Sequence, residues 1–155
     1  MNFLLSKLKN FGTEIIIILG FVFIANQIFY KAETPTQSDA LGYYDYLPSI
    51  FIYHDFVRRN DPVQENPELY NRIKKTGVYV DHHNYKVNKF ASGTAFLQLP
   101  FFTVALLTTH LEGNDHDGYQ EPFQKAVLIS AFFYLFLSIF FLKKVLLLYD
   151  IKKYI

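Results

Sequence analysis

Two charged residues that lie far apart in the chain are the strongest candidates for chemistry. Asp39 begins an aromatic-rich stretch that follows the first apolar segment, and Lys89 directly precedes the second one. At a membrane interface, burial and neighbouring charges tune the acidity of a carboxylate, so Asp39 could accept a proton from a hydroxyl group or help to hold a divalent cation. A lysine at the depth of the lipid head groups binds phosphate as a point charge. By residue type and position, Asp39 is therefore a candidate catalytic residue and Lys89 a candidate substrate-binding residue.

Each of these residues also has a simpler structural explanation. Aspartate and serine are favoured at helix N-caps, so Ser38 or Asp39 could simply start a helix. A lysine beside an apolar segment often extends its charged end toward the aqueous interface without binding anything. Both explanations stay open at the level of sequence.

The histidines do not predict a metal site. Asp81, His82 and His83 are consecutive, and neighbouring side chains in an extended segment point in opposite directions, so one metal ion would not reach both imidazoles. His110 and the run from Asp115 to Asp117 match no known ligand spacing. The chain has no cysteine, which excludes disulfides and thiolate chemistry.

Three uncharged apolar stretches must position these residues: Ile15–Tyr30, Phe90–Thr109 and Ala126–Leu142. Each has about 16–20 residues, close to the ~20 that a helix needs to cross a bilayer. Helices are expected because backbone groups in lipid must satisfy their own hydrogen bonds. The predicted fold class is an all-α integral membrane protein. It has two to three transmembrane helices and a large extracytoplasmic loop that contains short amphipathic juxtamembrane helices.

The predicted organisation follows from these stretches. An uncleaved signal anchor fits the start better than a cleaved signal peptide, because no small-residue cleavage site follows the apolar run. The segments are a cytoplasmic N-terminus (1–12), transmembrane helix 1 (13–30), an extracytoplasmic loop (31–89), a short transmembrane or re-entrant helix (90–110), a polar loop (111–124), transmembrane helix 3 (125–149) and a tail (150–155).

The number of crossings stays open between two and three. Three full crossings from a cytoplasmic N-terminus would place Lys143 and Lys144 outside, against the preference of lysine for cytoplasmic loops. A re-entrant second helix removes this conflict. Pro100, a helix breaker, and Gln98 predict that this helix is irregular.

The large loop carries local signals for structure. Leu41, Tyr44, Leu47 and Phe51 recur at helical spacing, which predicts an amphipathic helix on the membrane surface with a bend near Pro48. Pro67–Tyr70 predicts the start of a second short helix, and Val78–Val80 predicts a short extended piece.

The charge balance of the chain excludes one class of binding partner. The formal net charge is +1, and nucleic-acid binding needs a concentrated basic face, so no nucleic-acid partner is expected. Membrane lipid is the predicted partner, and protein partners stay an open question at the level of sequence.

Two segments resemble a known family. Ser38–Pro48, with the letters SDALGYYDYLP, is similar to the start of the first outer loop of GT-C-type polytopic glycosyltransferases, among them protein mannosyltransferases and aminoarabinose transferases of lipid A. Asn88–Phe102 resembles the Lys-aromatic entry to the next span of those enzymes. The chain has Ala91 and Ser92 where the family often has prolines, and it lacks a second acid directly beside Asp39.

This resemblance implies a function and a location. It implies that the chain is the amino-terminal module of an enzyme that transfers a sugar from a polyprenyl-phosphate donor, in a multi-pass protein of the bacterial inner membrane. Asp39 would match the family's catalytic acid and Lys89 would contact the donor phosphate, with a divalent cation as an open cofactor. Family members are much longer, so activity is not expected from these 155 residues alone. The alternative is a small non-catalytic membrane protein whose outer loop binds a partner protein or lipid.

Overall fold

The computed structural model describes residues 35–56, 67–83, 85–113 and 117–149, together with 15, 18–23, 26 and 27. The described chain is mostly helical. Five helices and one hairpin have defined bounds: α1 (Asp39–Tyr44), α2 (Tyr46–Phe51), α3 (Pro67–Thr76), β1 (Tyr79–His82), β2 (Tyr85–Asn88), α4 (Gly93–Leu111) and α5 (Glu121–Leu148). The chain divides into two compact units, Thr34–Ser130 and Met1–Glu33 with Ala131–Ile155. The predicted N-terminal segment 1–12 and the tail 150–155 lie outside the described residues.

The predicted helix after Ser38 forms as two short helices, and the break between them has a local cause. Pro48 has no N–H to donate to the carbonyl of Tyr44, and its ring would crowd that carbonyl in a regular helix. The chain accordingly leaves α1 after Tyr44 and resumes as α2 at Tyr46. The break therefore lies one turn before Pro48, near which a bend is predicted from the sequence.

The apolar face of α1 and α2 packs against protein. Leu41, Tyr44 and Leu47 are buried, which confirms the helical spacing read from the sequence, whereas Phe51 remains 41% exposed. The rings of Tyr44 and Phe51 both contact Phe102 of α4, at centroid distances of 6.1 and 6.0 Å. The face that the sequence assigned to the membrane surface is thus largely used to pack on α4.

α3 and the hairpin form the second part of this unit. The prediction that a helix starts at Pro67 is confirmed, and it runs to Thr76. The predicted extended piece forms β1, which pairs antiparallel with β2 so that Tyr79 lies opposite Asn88. Ile73 and Val78 are buried against Leu41, so this part shares a small core with α1.

α4 begins at Gly93 and continues through Pro100 to Leu111. Pro100 therefore does not end the helix, and the predicted irregularity does not interrupt its bounds. Thr103 Oγ1 donates to the Leu99 carbonyl at 2.9 Å, and Thr108 Oγ1 to the Ala105 carbonyl at 2.9 Å, so both hydroxyls are satisfied within the helix. Ala95, Phe102, Ala105 and Thr109 form its buried face.

α5 starts at Glu121, four positions before the predicted start at 125. An ion pair between Glu121 and Lys125, at 2.5 Å, lies on this first turn. Among the described residues, two helices are long and apolar enough to cross a membrane: Gly93–Leu111 and Glu121–Leu146, with 22% and 11% of their apolar windows buried. In the other unit, the ring of Phe21 meets that of Phe132 edge to face at 5.8 Å.

The loop between α4 and α5 is fixed by close packing at Gly118. Its φ of 81° suits glycine, and an added Cβ would lie 2.7 Å from Pro48 Cβ and 2.8 Å from Ile52 Cδ1. The Tyr44 hydroxyl donates to the Gly118 carbonyl. At the start of α5, the buried Gln124 Oε1 accepts from both the backbone N–H and the hydroxyl of Thr36, at 3.2 and 2.7 Å.

Candidate functional site

Asp39 lies exposed on the first turn of α1. Ser38 occupies the predicted N-cap position. Its side chain, however, makes no cap hydrogen bond to the helix. The backbone of Ser38 has φ 52° and ψ −129°, a conformation that is costly for a residue with a side chain. The carboxylate is therefore reachable from outside and directly follows a strained residue.

Lys89 is also exposed and lies between the hairpin and α4. Its backbone N–H donates to the Val78 carbonyl at 3.0 Å, which fixes the main chain. Its ammonium is 5.3 Å from the centroid of the Phe90 ring and 3.7 Å from the position that a Cβ on Gly77 would occupy. Gly77 follows α3, whose C-terminal end carries the negative pole of the helix dipole, so Lys89 also has a structural role in stabilising this end.

An aromatic junction joins the segments that carry Asp39 and Lys89; we define it as Gly42, Tyr43 and Phe90. The Phe90 ring lies against Gly42, where an added Cβ would be 2.1 Å from Phe90 Cδ2. Tyr43 meets the same ring edge to face at a centroid distance of 5.0 Å. The Asn88 amide donates to the Gly42 carbonyl at 2.8 Å and holds the two segments together.

The junction connects the helix that carries Asp39 with the ring that lies beside Lys89. Asp39 and Tyr43 are four residues apart in α1, so their side chains share a helix face. Tyr43 contacts Phe90, and the ammonium of Lys89 lies near the same Phe90 ring. An exposed carboxylate and an exposed cation therefore belong to the two segments that this aromatic contact joins.

A second group of polar residues was not singled out by the sequence. Asp45 is fully buried between α1 and α2, and hydroxyl groups from three parts of the chain surround its carboxylate. Tyr79 of β1 donates to Oδ2, Tyr119 from the loop before α5 donates to Oδ1, and Ser49 Oγ lies 3.1 Å from Oδ2. We call Asp45, Ser49, Tyr79 and Tyr119 the Asp45 cluster. Because Asp45 has no exposed surface, the cluster serves to hold segments together rather than to contact a substrate.

Two tyrosines next to Asp45 have shifted acidity. Burial raises the pKa of Tyr44 well above its ordinary value of 10.0, and the charges of Asp117 and Asp45 raise it further. Burial and then Asp45 also raise the pKa of Tyr46, whose hydroxyl donates to the Phe90 carbonyl at 2.5 Å. Both phenols therefore stay protonated donors in the folded protein.

This shift predicts a loss of stability at alkaline pH. The folded state binds the Tyr44 proton more tightly than the unfolded state, so its contribution is complete below the unfolded pKa and declines as the pH rises through 10.0 toward the folded pKa. The expected slope is about 1.4 kcal/mol per pH unit for this group. Thermal unfolding in detergent micelles, followed by circular dichroism from about pH 8 to about pH 11, measures it.

Tyr44→Phe should flatten the alkaline decline and lower stability at neutral pH, because it removes the hydrogen bond to Gly118. Tyr85→Phe, on the exposed hairpin, controls for the loss of one phenol and should leave the decline in place. An unchanged decline in Tyr44→Phe would contradict the assignment.

The histidine pair differs from its sequence interpretation. His83 lies in the turn after β1 with a φ of 47°, and its ring centroid is 4.2 Å from that of His82. Contrary to the prediction, the two rings do not point apart, because only His82 belongs to the strand. Within the described ranges, however, no group of three or more histidine, aspartate or glutamate side chains could hold a metal ion. The described residues around Asp39 thus do not build a divalent-cation site.

Comparison with known proteins identifies no relative. No protein-family model, curated protein or solved structure matches this chain. The resemblance in Ser38–Pro48 and Asn88–Phe102 therefore remains an interpretation of the sequence.

Proposed function

We propose that this chain is the amino-terminal module of a GT-C-like membrane glycosyltransferase that transfers a sugar from a polyprenyl-phosphate donor. The observation that carries the proposal is the aromatic junction, which links Asp39 and Lys89 across fifty positions of sequence. A sugar ring packs on aromatic faces, while its hydroxyls and phosphate need polar and charged partners.

The proposed location is a bacterial inner membrane, with more than one crossing. Support comes from α5, where Phe136, Phe141 and Leu142 are more than half exposed. Exposed side chains of this kind suit lipid better than water, and the segment between Lys125 and Lys143 carries no charge.

In the proposed reaction, Lys89 holds the donor phosphate as a point charge. Asp39 takes the proton from the acceptor hydroxyl as its oxygen attacks the anomeric carbon. The new bond to the acceptor oxygen forms while the bond from the anomeric carbon to the phosphate oxygen breaks, and polyprenyl phosphate leaves with that electron pair. The reaction belongs to the longest natural protein that carries this segment.

A sugar-transfer assay on that longest natural form tests the roles. Asp39→Asn should lower kcat about 10²- to 10⁴-fold, the usual contribution of a general base. Lys89→Ala should weaken binding of the donor about tenfold, which corresponds to about 1.4 kcal/mol. Binding of radiolabelled polyprenyl phosphate to the purified protein in detergent provides a measurement that does not depend on turnover.

Matched controls exist on the same surface. Asp81→Asn and Lys75→Ala change one exposed carboxylate and one exposed lysine outside the junction, and both should keep normal kcat and affinity. Unchanged turnover and lipid-phosphate binding in both Asp39→Asn and Lys89→Ala would remove the proposed roles.

A second candidate is a non-catalytic membrane protein whose outer loop binds a partner protein or lipid. It is favoured by Ile50, Phe51 and Phe56, which lie in one short stretch of sequence and are 41%, 41% and 56% exposed. The binding measurement separates the two candidate functions. If the protein is non-catalytic, Asp39→Asn and Lys89→Ala should bind polyprenyl phosphate no differently from the parent chain.

A further inference from the structure

We propose that α4 does not cross the membrane, and that its exposed apolar face instead contacts the acyl chains of the leaflet that α5 enters. The inference rests on the proposed membrane location and goes beyond the proposed function. It assigns a lipid partner to α4 and places both ends of this helix on one side of the bilayer.

The Asp45 cluster carries the inference, because it joins the segments before and after α4. Tyr79, which precedes α4, and Tyr119, which follows it, both donate to the carboxylate of Asp45. A tyrosine side chain is far shorter than the ~30 Å hydrocarbon core, so two tyrosines on opposite sides of a bilayer would not reach one carboxylate. The two flanks of α4 are therefore on the same side.

Further contacts hold the second flank in place. The Tyr53 hydroxyl donates to the Asp117 carbonyl at 2.9 Å, and the Tyr44 hydroxyl donates to the Gly118 carbonyl. If α4 crossed, residues 112–119 would have to return through the bilayer to make these bonds. That segment contains Glu112 and Asp117 and is too short to return as a second membrane helix, so lipid would leave its charges and backbone unsatisfied.

The depth of α5 gives an independent argument. The ring of Phe123, on the first turn of α5, lies 5.3 Å from that of Phe102 in the middle of α4. If Phe102 were at the centre of the bilayer, the exposed ion pair of Glu121 and Lys125 beside it would be near the centre too, where charges are strongly disfavoured. With this ion pair at the interface, the middle of α4 lies at the interface as well.

In this arrangement α5 crosses the bilayer and α4 does not. From Lys125 to Lys143 the helix rises about 27 Å, close to the thickness of the hydrocarbon core, with charges only at the two ends. Lys143 and Lys144 then lie on the side opposite to the hairpin.

The surface of α4 suits a shallow position in lipid. One face is buried against α1, α2 and α5, and the exposed hydroxyls of Thr103 and Thr108 are satisfied within the helix. The large apolar side chains that remain exposed are Phe96, Leu97, Val104, Leu107 and Leu111.

Single cysteines test the sidedness, because the natural chain has none. We choose Val80→Cys before α4, Glu112→Cys after it and Tyr149→Cys after α5, all exposed positions. The full chain is reconstituted in sealed vesicles and treated with a membrane-impermeant maleimide. Val80→Cys and Glu112→Cys should react from one side, and Tyr149→Cys only from the other. Complete labelling of each variant in detergent shows that its cysteine is reactive.

Each alternative pattern overturns the inference. Labelling of Glu112→Cys from the same side as Tyr149→Cys would mean that α4 crosses. Labelling of all three variants from one side would mean that α5 does not cross the membrane. Both patterns are distinct from a failure of the proposed function, which is measured by lipid-phosphate binding to the same proteins.

A spin label at Leu107→Cys tests the lipid contact directly, with Ile139→Cys on α5 as the lipid-exposed control. Collisions of Leu107→Cys with dissolved oxygen should exceed those with a water-soluble nickel chelate, as in the control. Preference for the nickel chelate would show that this face of α4 lies in water and would overturn the proposed lipid contact.

Discussion

Replacing Asp45 by alanine is expected to lower the free energy of unfolding by about 4 kcal/mol, because hydrogen bonds to a charged acceptor contribute about 1.5–3 kcal/mol each and several hydroxyls would lose theirs. The loss falls on three segments at once, since Ser49, Tyr79 and Tyr119 belong to α2, β1 and the loop before α5. Thermal or denaturant unfolding of the purified chain in detergent micelles, followed by circular dichroism, measures the effect.

Two further variants show whether the loss of stability is specific to the carboxylate of Asp45. Asp81→Ala removes an exposed carboxylate from the hairpin and should change stability by less than about 0.5 kcal/mol. Asp45→Asn keeps the size and one acceptor oxygen, so it should be less damaging than Asp45→Ala. If Asp45→Ala were as stable as the Asp81 control, Asp45 would not hold the three segments together.

The local part of this fold was predictable from sequence because its causes are local. Proline at the first position of a helix explains the start of α3, and the spacing of Leu41, Tyr44 and Leu47 identifies a face that becomes buried. The break between α1 and α2 lies near Pro48, as predicted, but one turn before it, since Pro48 acts on the carbonyl four residues earlier rather than at its own position.

The Asp45 cluster was not predictable because its partners are distant. Tyr79 and Tyr119 lie 34 and 74 residues away, and no periodicity within α1 or α2 points to them. The sequence does contain a weak signal: an aspartate flanked by buried positions in a chain with 12 tyrosines needs donors for its carboxylate. Which tyrosines supply them depends on the tertiary fold.

The candidate site likewise has a part that the sequence predicts and a part that depends on the tertiary fold. The sequence indicates Asp39 and Lys89 by residue type, position and resemblance. The aromatic junction between their segments, in contrast, depends on the contact between Gly42 and Phe90. A glycine inside a six-residue helix looks unfavourable from sequence alone. The close approach of the Phe90 ring gives the reason for it.

Gly42→Ala is therefore expected to destabilise the chain by about 3 kcal/mol, at the upper end of the usual cost of overpacking. Its Cβ would lie 2.1, 2.5 and 2.7 Å from Cδ2, Cε2 and Cγ of Phe90, so the ring or α1 must move. Gly93→Ala is the matched control, because nothing lies within 4 Å of a Cβ at that position. It should change stability by less than about 0.5 kcal/mol.

A double-mutant cycle with Phe90→Ala shows whether this contact causes the effect. Once the ring is removed, Gly42→Ala should cost less than about 0.5 kcal/mol, which gives a coupling energy of about 2–3 kcal/mol between the two positions. Additive effects would place the cost of Gly42→Ala elsewhere in α1. Since the same contact joins the segments that carry Lys89 and Asp39, Gly42→Ala should also weaken binding of polyprenyl phosphate, whereas Gly93→Ala should not. Loss of stability without loss of binding would mean that the junction supports the fold but not the proposed site.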